Sequence, residues 1–173
     1  GAVNLATVAQ KQSAFSTAVT EANDFACGLM TKDGDLVASS DISLPSFSLM
    51  MPNAVRRFLK KECMRSPEPG DIYVWNDPWN VSAQLNDILI VQPIFWNNSI
   101  QGYAGSIAHS PELGAVKEWM TASDVFEEGL QIPALRLFRR GIRDDSVWQI
   151  IGANSRVPEQ TLGDIEAQVV AVG

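Results

Sequence analysis

Ile88 to Phe95 is the strongest apolar run in the chain; Asn97-Asn98 supplies a turn, and Ile100 to Ile107 can return as its hairpin partner. A second hairpin lies upstream. Phe25, Cys27 and Leu29 alternate with smaller residues, Lys32-Asp33-Gly34-Asp35 carries turn chemistry, and Leu36-Val37-Ala38 follows. Asp-Gly provides the positive φ that a tight reversal demands. Asp71 to Trp75, released by the breaker Pro67-Glu68-Pro69-Gly70, adds a further strand. Four or five strands joined by adjacent hairpins imply an antiparallel sheet rather than a doubly wound parallel one.

Helices flank this sheet. Val8, Ala14, Phe15 and Ala18 give a helical stripe that ends before Asn23-Asp24. Ser43 to Phe47 reads as a loop, and Pro52 starts a helix through Val55, Phe58 and Leu59, with Arg56, Arg57, Lys60 and Lys61 on its solvated face. Near the end, Asp144 or Asp145 caps one helix and Pro158 opens another carrying Leu162, Ile165, Val169 and Val170. There is no internal repeat and no low-complexity linker. The expectation is a single α+β domain over 1–173: a mainly antiparallel sheet built from hairpins, packed with helices, with a helical C-terminus.

Composition narrows the function. A hydrophobic share of 46% and a charged share of 19% belong to a chain with a real core. The formal net charge of −7 argues against a nucleic-acid partner, which needs a basic face. No stretch approaches the ~20 apolar residues of a membrane span, so no membrane role is expected and the cytoplasm is the default compartment. Cys27 and Cys63 read as neutral thiols rather than a disulfide. Nucleophile elbows, phosphate loops and dinucleotide glycine patterns are all missing.

What remains is a set of polar residues at predicted strand ends. Asn76-Asp77-Pro78-Trp79 ends one strand, Asp87 immediately precedes another, and His109 with Glu112 follows the third. If those strands are neighbours, Asp77, Asp87, His109 and Glu112 come to one edge, a donor set suited to Mn²⁺, Mg²⁺, Fe²⁺ or Zn²⁺. The bland alternatives stand beside it: Asp77 before proline is a common turn, Asp87 can cap a loop, and His109 before Ser-Pro can be a surface histidine.

Asn76 to Asp87, NDPWNVSAQLND, resembles without gaps the hydantoinase B family stretch Asn-Asp-Pro-Tyr-x-Gly-Gly-Thr-His-Leu-Pro-Asp. That family comprises hydantoinase B subunits, 5-oxoprolinase C-terminal halves and subunits of acetone and acetophenone carboxylases. Asp24-Phe25-Ala26-Cys27 with Gly34 to Ser39, Pro69-Gly70-Asp71, and Ala108 to Gly114 are similar to further family blocks in the same order. So are Phe126 to Pro133, Leu137 to Gly141, Ala153 to Arg156, and Leu162-Gly163-Asp164. Family members are several hundred residues long, so the resemblance covers only their N-terminal portion. An excised domain, a proteolytic fragment and a naturally small subunit all fit.

The resemblance implies a hetero-oligomer. A hydantoinase A-type subunit would bind ATP and phosphorylate the carbonyl of a small-molecule substrate; the B-type subunit would complete cyclic amide hydrolysis or ketone carboxylation. ATP would enter only through that partner. A divalent metal (Mn, Zn, Fe or Mg) would polarise the activated oxygen, held by Asp87, His109 and Glu112, with Asp77, Glu112 and Glu127 as catalytic carboxylates. Departures accompany the match: Gln84 replaces the family histidine, Val81 and Ser82 its paired glycines, Ser110 the second histidine of a pair, and Glu112 an aspartate. A neutral amide is a poorer ligand than imidazole.

Glu127 and Glu128 can supply a general base or pair with Arg136, Arg139 or Arg140. Trp75, Trp79, Phe95, Trp96 and Trp119 read as core and interface, with Trp79 in the family's tyrosine position. Two readings follow: a metal-using enzyme subunit, or a degenerate relative that keeps the fold and serves assembly.

Overall fold

The computed structural model describes residues 1–116 and 121–173. Among them is one seven-stranded, wholly antiparallel sheet in the order β2-β1-β5-β4-β3-β6-β7. The strands are β1 (Phe25–Thr31), β2 (Leu36–Ser39), β3 (Ile72–Trp75), β4 (Asp87–Trp96), β5 (Ser99–His109), β6 (Leu135–Arg139) and β7 (Ile142–Arg143). The helices are α1 (Ala2–Ser13), α2 (Thr17–Thr20), α3 (Pro45–Phe58), α4 (Asp145–Ala153) and α5 (Pro158–Val172).

The β4–β5 hairpin forms the centre of the sheet, turning on Asn97 and Asn98 at φ 48° and 59°. Side chains on successive strand positions alternate between faces, and here both faces are covered. Tyr73, Trp75, Leu89 and Val91 meet Met51, Val55 and Phe58 of α3 on one side. Val74, Ile88 and Ile90 meet Trp148, Ile151 and Ile165 of α4 and α5 on the other. Double burial explains why β4 reads as a continuous apolar run.

Two glycines let α3 approach. Gly28 and Gly105 face each other across β1 and β5, and a Cβ on either would come within 3.1–3.2 Å of the Met51 sulfur. At the α1–α2 corner, the buried Asp164 carboxylate of α5 accepts the backbone N–H groups of Phe15 and Ser16 at 2.7 and 3.0 Å. The Leu162-Gly163-Asp164 block thus fastens two helical layers.

Several expectations change. α3 begins at Pro45, not Pro52, because Pro45 takes the first-turn position where no N–H is needed and Pro52 is accommodated inside the helix. Seven strands replace four or five: β6 and β7 extend the sheet beyond β3. Asp144 caps α4, accepting from Ser146 and Val147, and Pro158 opens α5. Both cysteines are free. Trp75 is core, whereas Trp79 and Trp96 are 68% and 71% exposed; Trp119 lies outside the described residues.

Candidate functional site

Antiparallel register places the first residue of β4 opposite the last residue of β5, and those are Asp87 and His109. His109 Nδ1 lies 2.9 Å from Asp87 Oδ1. The other carboxylate oxygen of Asp87 accepts the Ser82 hydroxyl at 2.5 Å. Gln84 Nε2 stands over both, 3.3 Å from Asp87 Oδ1 and 3.2 Å from His109 Nδ1. Asp87 is 1% exposed, and His109 is more open.

Electrostatics bind the pair further. Burial pushes the His109 imidazole down, but its hydrogen bond to Asp87 and the negative charges of Asp87 and Asp24 outweigh this and raise it above its ordinary value. Asp24 is raised by burial and by Asp87, with His109 pulling it back. Its backbone carbonyl also accepts the His109 N–H at 2.9 Å. Asp24 and Ser82 are the members sequence reasoning missed, although Asp24 opens one of the recognised blocks.

The 76–86 loop that carries Ser82 and Gln84 is held by asparagines. Asn76 donates to the carbonyls of Leu85 and Leu130 at 2.7 and 2.9 Å and accepts from Ile132 N–H at 2.6 Å. Asn86 donates to Ser110 O, and Ser110 N–H donates to Asn86 O. Asp77 receives Trp79 N–H and Asn80 Nδ2, so its carboxylate builds the local turn. Arg57 of α3 ties that turn down through Trp79 O at 2.7 Å.

The other expected carboxylates lie elsewhere. Glu112 pairs with the Arg156 guanidinium at 2.6 Å and accepts the backbone N–H groups of Gly114 and Arg156. Both its oxygens are therefore spent on fastening the 112–115 turn to the α4–α5 corner. Glu127 is exposed and accepts Ser123 N–H at 2.8 Å. Glu128, not Glu127, reaches the loop, accepting Leu85 N–H at 3.3 Å. Among the described residues neither pairs with the expected arginines: Arg136 engages Asp71, and Arg140 engages Glu68.

Among the described residues the donor set does not fit the expected divalent ion. Asp87 and His109 meet, but Glu112 is withdrawn, and among the described residues no group of three or more His, Cys, Asp or Glu side chains is placed to hold a metal. A cavity of about 690 Å³ lies instead between α1, the end of α5 and the middle of the sheet. Apolar groups such as Leu5, Ile94 and Val170 dominate its lining. We place the candidate site at Asp87 and His109 because reactive groups converge there.

Comparison with known proteins agrees with the sequence blocks. The family model described as Hydantoinase B/oxoprolinase matches residues 2–173. An uncharacterized protein of Methanocaldococcus jannaschii is 32% identical over 168 residues, covering 94% of this chain and 30% of its own length. Among solved structures, the fold is similar to acetone carboxylase in its nucleotide-free form, with a TM-score of 0.89 at 20% identity over 99% of this chain and 23% of that one. It is also similar to the ATP-dependent caprolactamase of Pseudomonas jessenii, with a TM-score of 0.81 at 23% identity over 99% of this chain and 30% of that one. This chain thus spans less than a third of the length of these relatives. No helix among the described residues is long and apolar enough to cross a membrane. With a family match running from residue 2 to the last residue and the same fold in two solved relatives, the chain belongs to the hydantoinase B/oxoprolinase family.

Proposed function

We propose that this chain is the site-bearing portion of a B-type subunit in an ATP-dependent enzyme that hydrolyses a cyclic amide or carboxylates a ketone. A partner subunit of the A type supplies ATP chemistry and delivers a phosphorylated carbonyl compound. The observation that carries this reading is the Asp87–His109 pair, a buried carboxylate fixed against a more open imidazole, each residue standing in a block that resembles the family.

The chemistry available to the pair is proton transfer. Asp87 accepts the Nδ1 proton and fixes the ring's tautomer and orientation, as carboxylates do for histidine bases. Proton exchange with the substrate is then carried by Nε2. Ser82 orients Asp87 through the opposite oxygen, and Gln84 donates to the carboxylate from above. No step is assigned to a metal.

Reconstitution with an A-type subunit tests this, with ATP-dependent lactam opening and ATP-dependent ketone carboxylation as parallel assays. His109→Gln is expected to lower turnover by about 10²–10⁴-fold, the range of a lost acid–base group, without preventing assembly. Unchanged turnover in His109→Gln overturns the proposal. A second reading, an assembly subunit without catalysis, draws support from Asp77, Glu112 and Glu127, whose carboxylates all serve local structure. A complex that forms but turns over neither substrate favours it.

A further inference from the structure

We infer that Gln84 keeps this site free of a resident divalent ion, and that the site is one strong donor short of binding one. The inference is independent of the acid–base reading, because it concerns what the site holds rather than what it turns over.

Gln84, Asp87 and His109 already converge: the amide nitrogen of Gln84 is 3.3 Å from the carboxylate and 3.2 Å from the imidazole. Three side chains at these separations make the frame of a metal site, but the third presents N–H groups. An amide nitrogen carries its protons toward the space a cation would enter and cannot shed them. Turning the amide around would offer a neutral carbonyl oxygen, at the cost of its bond to Asp87. With the imidazole neutral, as a ligand must be, Asp87 would bring the only formal negative charge among the three against a double positive charge.

Among the described residues the neighbours do not make good the deficit: Asp24 adds negative charge near His109 and Asp87 but is not grouped with them so as to hold an ion. Asp87 Oδ2 is already taken by the Ser82 hydroxyl at 2.5 Å. Glu112, the expected third ligand, is bound to Arg156. Ser110 follows His109 and is 3% exposed, but its buried hydroxyl, unpaired among the described residues, is a weak neutral donor. Moving a dication out of water into this setting is not offset by one carboxylate and one ring.

One substitution reverses the balance. Gln84→Glu is nearly isosteric and adds a second negative charge at the point where the three side chains meet. Gln84→His places an imidazole there. The test equilibrates wild type and both variants with Zn²⁺ or Mn²⁺ alone, desalts them, and measures bound metal by elemental analysis, with circular dichroism and thermal melting as folding controls. Wild type is expected to retain almost no metal. At least one folded variant is expected to retain about one ion per chain, to melt higher with metal than without it, and to lose both properties when Asp87→Ala is added. A stoichiometric ion in wild type, removed by a chelator, overturns the inference; so do two folded variants that both stay empty. Since the readout is metal content, failure of the turnover assay leaves this result standing, and the reverse also holds.

Discussion

Asp87 and His109 are direct partners across the β4–β5 ladder, 22 residues apart in sequence and 2.9 Å apart at Oδ1 and Nδ1. The hairpin that dominates the fold therefore also builds the site, since its register decides that these two ends coincide.

The pair makes stability depend on pH. The folded His109 value is raised above 6.5, chiefly through Asp87 and with Asp24 adding, against the opposing effect of burial. Its stabilisation is therefore fully present below the unfolded histidine value and is lost as pH rises through the folded one. Urea midpoints measured from pH 5 to 9 should fall across that window in wild type, and the fall should shrink in Asp87→Asn. A wild-type profile no steeper than the variant's would contradict this.

Asn76 is predicted to be the main fastening of the site loop. Asn76→Ala removes two donated bonds and one accepted bond at a fully buried position, leaving the Leu85 and Leu130 carbonyls and the Ile132 N–H without that partner. The expected loss is about 2–4 kcal/mol, read from chemical denaturation. A loss under about 0.5 kcal/mol would show that the loop is held otherwise.

Glu112 and Arg156 are predicted to act on stability alone. Arg156 is 60% exposed, so Arg156→Met should cost about 1 kcal/mol or less. Glu112→Ala should cost more, about 1–2 kcal/mol, because two backbone N–H groups lose their acceptor as well. The pKa of His109 should stay unchanged in both variants; a shift comparable to that of Asp87→Asn would return Glu112 to the site.

The two cysteines should differ in reactivity. Burial pushes the Cys27 thiol up to about 11, with Thr7 and Ser106 pulling it back, and it donates to Gln10 Oε1 at 3.0 Å. Burial raises Cys63 too, yet that residue is only half-buried. Iodoacetamide at neutral pH should therefore label Cys63 first and Cys27 only on unfolding. Equal labelling rates in the native protein would refute this.

Much of the architecture was legible because local signals agreed with the global fold. The apolar runs flanking Asn97-Asn98, the Asp-Gly reversal, the Asp144 cap and Pro158 all mark element ends by backbone chemistry alone. Pro52 misled because proline is a stronger punctuation mark in sequence than in a helix whose neighbours cover it; Pro45 holds the true start. The last two strands escaped notice for a different reason. β6 is short and mixes Leu135, Leu137 and Phe138 with Arg136 and Arg139, and β7 is only two residues long.

The site was half legible. Asp87 and His109 end adjacent strands, so predicting the strands predicts their meeting. The Glu112–Arg156 pair joins residues 44 positions apart through the 110–116 turn, and no periodicity reports such a closure. The Arg136–Asp71 and Arg140–Glu68 pairs, which took the arginines expected for Glu127 and Glu128, follow from the β3–β6 pairing that sequence did not reveal.

His109 is the chain's only histidine, so its imidazole signals can be followed without ambiguity. Titration of those signals by NMR in wild type and in Asp87→Asn is the most direct test of the pair. The expected result is a wild-type pKa above 6.5 that falls in the variant, where burial remains but the carboxylate does not. The same pKa in both proteins would mean that Asp87 does not hold the ring, and the site described above would not exist.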